Sequence, residues 1–156
     1  MAAPGSAAEF LTEAARLLTR RGWRTVEETP EPFGLILEKK KSTLVVHTHT
    51  ALFFIDGDNL SRDDIREAMA QAHAMTAEAA TAPLFPATVV VVFVYTETMP
   101  PGTRSAKKRD IARGHATVAW TVSIPDGQLE THRGTPLVRD GKRALEQALH
   151  ASANDG

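Results

Sequence analysis

Apolar, β-forming residues run without regular alternation in one stretch of the chain, residues 87–96, which reads ATVVVVFVYT. Elsewhere apolar positions alternate with polar ones or recur at helical spacing. A continuous run of β-branched residues bounded by Pro86 and Pro100 is typical of a central strand that is covered on both faces. The run therefore predicts a layered domain in which the other elements pack around residues 87–96.

Two segments before this run have the features of amphipathic helices. Ser6 and Glu9 have capping-box spacing, and apolar residues follow at helical intervals up to Gly22. Ser61 and Asp64 repeat that spacing, and a second apolar stripe continues toward the proline at position 83. In a capping box, side-chain oxygens accept hydrogen bonds from backbone N–H groups that the first turn leaves free. We therefore expect helices to begin at both serines.

Three short strands are predicted between these helices, over residues 23–28, 33–39 and 44–54. Residues 39–42, which read KKKS, are interpreted as a solvated hairpin turn between the second and third of them. The third strand carries His47 and His49, which share a face because strand side chains alternate with period two.

Four more elements are predicted after the central run. Residues 104–113 are interpreted as a short basic helix. Residues 117–124 alternate, with Val118 and Trp120 on one face and Thr117 and Thr121 on the other, as in a half-buried strand. Turn residues at 125–127 lead into a short strand, and residues 138–150 form the last helix. The predicted fold is α/β (α+β), a single mixed sheet with the order α-β-β-β-α-β-(α)-β-β-α.

That order resembles the restriction-endonuclease-like, or PD-(D/E)xK, fold. In that family an aspartate on the second strand and an acid-x-lysine motif on the third hold a metal and activate water. Here the second strand offers Glu38, and the third reads His47-Thr48-His49. The resemblance therefore implies a member that lacks the catalytic motif. A secretion-chaperone-like interaction module also fits the element order.

A shorter stretch, FIDGDNL at residues 54–60, is similar to the opening strand of NYN/PIN-type ribonucleases. That resemblance implies that Asp56, at the end of the strand, holds a metal ion. The family uses further carboxylates at later strand ends, for which this chain offers chiefly Glu97.

Composition predicts one soluble domain. The 156 residues carry a formal net charge of -1, 42% are hydrophobic and none is cysteine. The sequence therefore excludes disulfides and thiolate metal sites, and any basic site must be local. Residues 6–150 are predicted to form the domain, with flexible termini at 1–5 and 151–156. The first residues lack the pattern of a signal peptide and no apolar run is long enough to span a membrane, so we expect a cytoplasmic protein.

Candidate metal ligands are His47 and His49, with Asp56 or Asp58 as oxygen donors. Two histidines one residue apart on a strand present their ring nitrogens toward one ion, and further ligands would come from the other histidines. The alternative is that both histidines lie on the partly exposed face of a sheet. No cofactor is expected, except a divalent metal if the protein is an enzyme.

Candidate phosphate-binding residues lie in the basic segment; they are Arg104, Lys107, Lys108, Arg109 and Arg113. Closely spaced cations gain affinity for nucleic acid by releasing counterions. No aromatic residue lies among them to stack on bases, and the alternative is a solvated charged face.

No phosphate-binding glycine loop, dinucleotide fingerprint or nucleophile elbow occurs in the sequence. The leading hypothesis is therefore a non-catalytic interaction or regulatory domain that binds a protein partner or itself. Two alternatives stay open: a metal-dependent nuclease or hydrolase, and a nucleic-acid-binding module that uses the basic segment.

Overall fold

The fold is a mixed sheet with helices on both faces. The computed structural model describes residues 6–42, 47–76, 87–97, 107–110, 115–131 and 138–150, without the side chains of 47 and 107–110. The helices are α1 (Ala7–Arg20), α2 (Arg62–Thr76) and α3 (Arg139–His150). The strands are β1 (Arg24–Thr25), β2 (Leu35–Ser42), β3 (His47–Asp56), β4 (Ala87–Tyr95), β5 (Lys107–Asp110), β6 (His115–Ser123) and β7 (Gln128–Glu130).

All described strands belong to one sheet, in the order β1-β2-β3-β4-β6-β5, and β7 also pairs with β6. The pairs β3–β4 and β4–β6 are parallel, and the other pairs are antiparallel. This arrangement confirms the predicted mixed sheet. We call the end where β3, β4 and β6 begin the amino pole, and the end where they finish the carboxyl pole.

Strand β4 lies at the centre of the sheet and is buried on both faces, as the valine run predicts. Residues Val90, Val92 and Val94 pack in the core that α1 and α3 cover. Val89, Val91 and Phe93 pack in the opposite core, under α2. A strand in this position needs apolar residues at successive positions, because neither face reaches water.

Both predicted helix starts are confirmed. Ser6 Oγ accepts a hydrogen bond from the Glu9 amide at 3.2 Å. At α2 the bonds are reciprocal: Asp64 N donates to Ser61 Oγ at 3.1 Å, and Ser61 N donates to Asp64 Oδ2 at 2.9 Å. Gly22 has a φ of +92°, as expected of the glycine that ends α1.

The hairpin turn predicted at residues 39–42 is wrong, because these residues belong to β2. Lys39, Lys40, Lys41 and Ser42 pair with β3, so the strand continues to the amino pole. Lysines are compatible with this position because the end of β2 lies at the open edge of the sheet, where charged side chains reach water.

The predicted basic helix and the half-buried strand also differ from the structure. The described part of the basic segment is the strand β5, which pairs with the first half of β6. Strand β6 is buried on both faces, because Thr117 and Thr121 lie under 2% exposed on the α2 side. Hydroxyl side chains make that second face resemble a solvated one in the sequence.

No helix in the described part of the chain is long and apolar enough to cross a membrane. The predicted flexible termini lie outside the described residues.

Candidate functional site

The candidate metal ligands lie at opposite ends of β3. His49 lies near the amino pole and Asp56 at the carboxyl pole, seven residues further along, which is roughly 23 Å in a strand. An odd separation also places the two side chains on opposite faces. His47 belongs to the same end of β3 as His49, and its side chain is outside the described residues. The histidines and aspartates therefore do not meet around one ion.

Asp58 ties the loop after β3 to the end of β4. Its carboxylate accepts hydrogen bonds from the Thr96 amide at 3.2 Å, from the Thr96 hydroxyl and from the Glu97 amide at 3.4 Å. Asp56 Oδ1 in turn accepts from the Asp58 amide at 3.0 Å. Both predicted aspartate ligands thus have a structural role in holding two parallel strand ends together.

His49 is paired with a carboxylate on the neighbouring strand. Its Nε2 lies 3.0 Å from Glu38 Oε2, while Nδ1 is buried and has no hydrogen-bond partner among the described residues. Among the described residues, no three histidines or acids lie close enough together to hold a metal ion. The pair therefore has the geometry of a hydrogen bond between neighbouring strands, and the described side chains do not complete a metal site around it.

A second histidine pair joins α2 to β6. The rings of His73 and His115 are stacked with centroids 3.8 Å apart and an angle of 5° between their planes. His73 Nδ1 lies 2.8 Å from Thr117 Oγ1, and His115 Nε2 lies 2.8 Å from Thr76 Oγ1. His115 is only 1% exposed, whereas His73 is half-buried, as its place in the apolar stripe of α2 suggests. Nothing in the sequence predicts this pair, because 42 positions separate the two histidines.

Cations from three elements converge at the amino pole. Strand β2 ends at this pole. Lys39 joins the end of α1 to the start of α3 by its bonds to Arg21 and Asp140. Arg20 and Arg143 line a groove between these two helices. The exposed cations at this end are Arg20, Lys40, Lys41, Arg139, Lys142 and Arg143. We call this set the basic pole.

The basic pole is held in place by a half-buried carboxylate at the start of α3. Asp140 Oδ2 accepts a hydrogen bond from Lys39 Nζ at 2.7 Å and another from Trp23 Nε1 at 3.0 Å. Lys39 Nζ also donates to the carbonyl of Arg21 at 2.9 Å. Burial raises the pKa of Asp140, but the bonds from Lys39 and Trp23 outweigh that effect and hold the pKa below its usual value. The carboxylate stays charged and fixes both helix ends beside β2.

The predicted basic segment lies on the far side of the same end. Lys108 and Arg109 pair with Thr117 and Ala116, near the start of β6. Arg104 and Arg113 lie outside the described residues. The backbone therefore places the described part of the segment at the amino pole, four strands away from the end of β2.

Acidic residues collect at the opposite end of the sheet. They come from the loop between β1 and β2, from the end of β3, from the first turn of α2 and from the residues after β4. The exposed members on these elements are Glu27, Glu28, Glu31, Asp56, Asp63, Asp64 and Glu97; Asp126, in the turn after β6, is exposed at the same end, and we call this set of eight the acidic pole. The net charge of -1 therefore conceals an uneven distribution of the described charges, in which Arg62 and Arg66 lie beside the acidic pole and Glu146 contacts Lys142 at 3.9 Å.

Exposed apolar surface is scarce in the described part of the chain. Among the described residues, Met75 is the large hydrophobic side chain that is exposed, at 42%. Both tryptophans are buried, at 2% exposure or less. A docking surface built on these residues would be charged rather than apolar.

Comparison of the chain with protein-family models, with curated proteins and with solved structures found no match. The restriction-endonuclease-like and NYN/PIN-like resemblances therefore stay predictions, and the function is inferred from the geometry alone.

Proposed function

We propose that this protein is a binding domain that uses its basic pole to hold the phosphate backbone of double-stranded nucleic acid. The separation of charge between the two ends of the sheet carries the proposal. Six exposed lysines and arginines lie on three elements that meet at one end, and this end faces away from the acidic pole. Binding of this kind needs no chemistry from the protein, in keeping with the predicted non-catalytic domain.

The span of the pole suits an extended polyanion. Lys40 on β2 and Lys108 on β5 are separated by β3, β4 and β6. Four strand spacings amount to about 19 Å, and successive phosphates on one DNA strand lie about 3.4 Å apart. The backbone of the amino pole, from the end of β2 to β5, is therefore wide enough to lie along several nucleotides of one strand.

The absence of exposed aromatic side chains from the described surface indicates which part of the nucleic acid is contacted. Trp23 and Trp120 are buried, so neither stacks on a base. Contacts between lysine or arginine and phosphate position a protein on a duplex without reading its sequence. We therefore expect weak discrimination between sequences and affinity that depends strongly on salt.

The test is the salt dependence of binding to a fluorescein-labelled random duplex of about 20 base pairs, followed by fluorescence anisotropy. Each phosphate contact contributes about 0.9 to the slope of log affinity against log salt concentration. Replacing Lys40 and Lys41 by glutamine should reduce the slope by up to about two and weaken binding.

The matched control removes the same number of charges from the other end of the molecule. Arg62 and Arg66 are exposed on the first turns of α2, beside the acidic pole. The double variant Arg62→Gln, Arg66→Gln should retain the wild-type slope. Equal losses in the two double variants, or no measurable binding at low salt, would contradict the proposal.

Head-to-tail self-association is a second candidate, and the acidic pole favours it. The basic pole of one copy is complementary in charge to the acidic pole of another. A head-to-tail contact between them would build chains of subunits. Sedimentation equilibrium in about 20 mM salt should then show a larger mass than in about 300 mM salt, where charges are screened. Glu27→Gln, Glu28→Gln would abolish that association and leave duplex binding intact, whereas Lys40→Gln, Lys41→Gln would weaken both. A monomer at every salt concentration would exclude this second candidate.

A further inference from the structure

Helices α1 and α3 run antiparallel on one face of the sheet, with an open groove between them. The end of α1 and the start of α3 meet at the amino pole, where Lys39 bonds to Arg21 and Asp140. Arg20 and Arg143 therefore line the groove at this end. The groove has a volume of about 610 Å³, which lies within the range of small-molecule sites.

The two arginines at this end of the groove are not paired with acids. Arg16, one turn before Arg20, donates two hydrogen bonds to the carboxylate of Glu13, one of them from Nε to Oε2 at 3.1 Å. The bond from Arg16 lowers the pKa of Glu13, burial opposes this effect, and the charge of Arg20 contributes least. Among the described residues, neither Arg20 nor Arg143 makes a hydrogen bond or an ion pair through its side chain. Two uncompensated guanidinium groups thus share the amino-pole end of the groove.

Acidic residues limit how far a polyanion extends along the groove. Glu146 also lines it, three residues beyond Arg143, which is about 4.5 Å along the helix axis. Glu13 lies seven residues before Arg20, which is about 10.5 Å. A nucleic-acid backbone laid along the groove would bring its next phosphates close to these carboxylates. The arginine end therefore suits a single phosphate group better than a chain of them.

Unpaired guanidinium groups favour a phosphate monoester over a diester. A monoester carries close to two negative charges near neutral pH and has three free oxygens, whereas each diester of a nucleic-acid backbone carries one charge. Arginine presents paired N–H donors that match phosphate oxygens. Leu17 and Gln147 line the groove beyond the arginines and offer apolar and amide surface to the group that carries the phosphate.

We propose that the amino-pole end of this groove binds a phosphate monoester between Arg20 and Arg143. The monoester is either the 5′ end of a nucleic-acid strand or a free small phosphate, because both present the same group. Only the first of these sources rests on the proposed function, and the site itself does not.

The test compares adenosine 5′-monophosphate with its 3′,5′-cyclic form, which has the same base and sugar but carries a diester. Each compound is titrated into ¹⁵N-labelled protein in about 20 mM salt, and the Nε–H resonances of the arginines are followed. The monoester should shift the resonances of Arg20 and Arg143, and it should bind at least about threefold more tightly than the cyclic diester.

Single variants locate the binding. Arg20→Gln and Arg143→Gln should each weaken monoester binding at least about threefold. The matched control is Arg139→Gln, which removes an exposed arginine of the same pole that does not line the groove and should leave binding nearly unchanged. All three side chains are exposed, so the variants are expected to fold.

Duplexes of about 20 base pairs distinguish the two sources of the monoester. If strand ends are bound, a duplex with 5′-phosphates should bind more tightly than one with 5′-hydroxyl ends. Arg20→Gln should remove that difference, and Lys40→Gln, Lys41→Gln should preserve it. Equal binding of the two duplexes, with binding of the free monoester, would assign the site to a small phosphate.

The results separate this inference from the proposed function. Loss of all duplex binding with retained monoester binding would overturn the proposed function and support the groove site. The inference would be overturned if the monoester shifted neither arginine, if it bound no better than the cyclic diester, or if both Arg20→Gln and Arg143→Gln bound it as well as the wild type.

Discussion

Replacement of Asp140 by alanine should destabilise the protein, because this carboxylate connects α3 to both Trp23 and Lys39. Without it the N–H of Trp23, a residue that is 2% exposed, has no acceptor, which costs about 1–3 kcal/mol. The ion pair with Lys39 is partly exposed, with side-chain exposures of 33% and 29%, so screening limits its contribution to about 1 kcal/mol or less. We expect a loss of about 1–4 kcal/mol in the free energy of unfolding.

The pH dependence of the same variant follows from the pKa of Asp140, which is held below its usual value. A carboxyl group with a lowered pKa in the folded state contributes stability above its unfolded pKa of about 3.9. That stability is lost as the pH falls through the folded pKa. The difference between the wild type and Asp140→Ala should therefore be constant from about pH 5 to pH 8 and narrow below about pH 4.

Urea unfolding followed by tryptophan fluorescence measures this difference. Asp63→Ala is the control, because Asp63 also lies in the first turn of a helix but is 87% exposed and has only a 3.9 Å contact with Arg66. It should cost about 0.5 kcal/mol or less. The reasoning would be refuted if Asp140→Ala cost no more than Asp63→Ala, or if its cost did not change between neutral and acidic pH.

Three further predictions concern the carboxyl pole and metal binding. A Cβ on Gly57 would lie 2.7 Å from the buried ring of Tyr95, so Gly57→Ala should lower the free energy of unfolding in urea by about 1–3 kcal/mol. The control is Gly34→Ala, which should be close to neutral because the nearest atom to its Cβ would be 3.6 Å away. Equal effects of the two variants would contradict close packing of Tyr95 on Gly57. Asp58→Ala removes the acceptor of the Thr96 amide, so it should lower the free energy of unfolding by about 1–2 kcal/mol and speed hydrogen exchange of that amide. Unchanged exchange would show that Asp58 does not hold the end of β4. Thermal unfolding should be the same with and without EDTA, and a decrease of more than about 2 °C would show that a metal stabilises the fold.

Local signals in the sequence were enough to predict the layers of the fold. The valine run at 87–96 predicts β4 because a strand covered on both faces needs apolar residues throughout. The spacing of Ser6 with Glu9 and of Ser61 with Asp64 predicts two helix starts, because capping depends on residues three positions apart. These signals are local, so tertiary contacts do not overturn them.

The wrong predictions concern residues whose conformation and burial depend on tertiary contacts. The lysines at 39–41 look like a turn, but pairing with β3 and the bond from Lys39 to Asp140 extend β2 to the amino pole. The threonines of β6 look solvated, but α2 covers them. Sequence alone therefore cannot distinguish a polar face that meets water from one that meets another polar element.

The candidate site was largely hidden in the sequence for the same reason. The sequence suggested His47 and His49 as metal ligands with Asp56 or Asp58, but β3 places His49 and Asp56 at opposite ends of the sheet. The basic pole combines residues near positions 20, 40 and 140, which only the directions of α1, β2 and α3 bring together. The lysines at 39–41 and the basic segment at 104–113 are visible as charge clusters in the sequence, but only the fold places the end of β2 and strand β5 at the same end of the sheet.

The most direct test of the proposed function is to map the bound duplex on the protein by amide chemical-shift changes in ¹⁵N-labelled protein. Residues at the end of β2, the end of α1 and the start of α3 should shift in proportion to the duplex added, and these shifts should disappear at high salt. Shifts confined to the carboxyl pole, or none at low salt, would contradict binding through the basic pole.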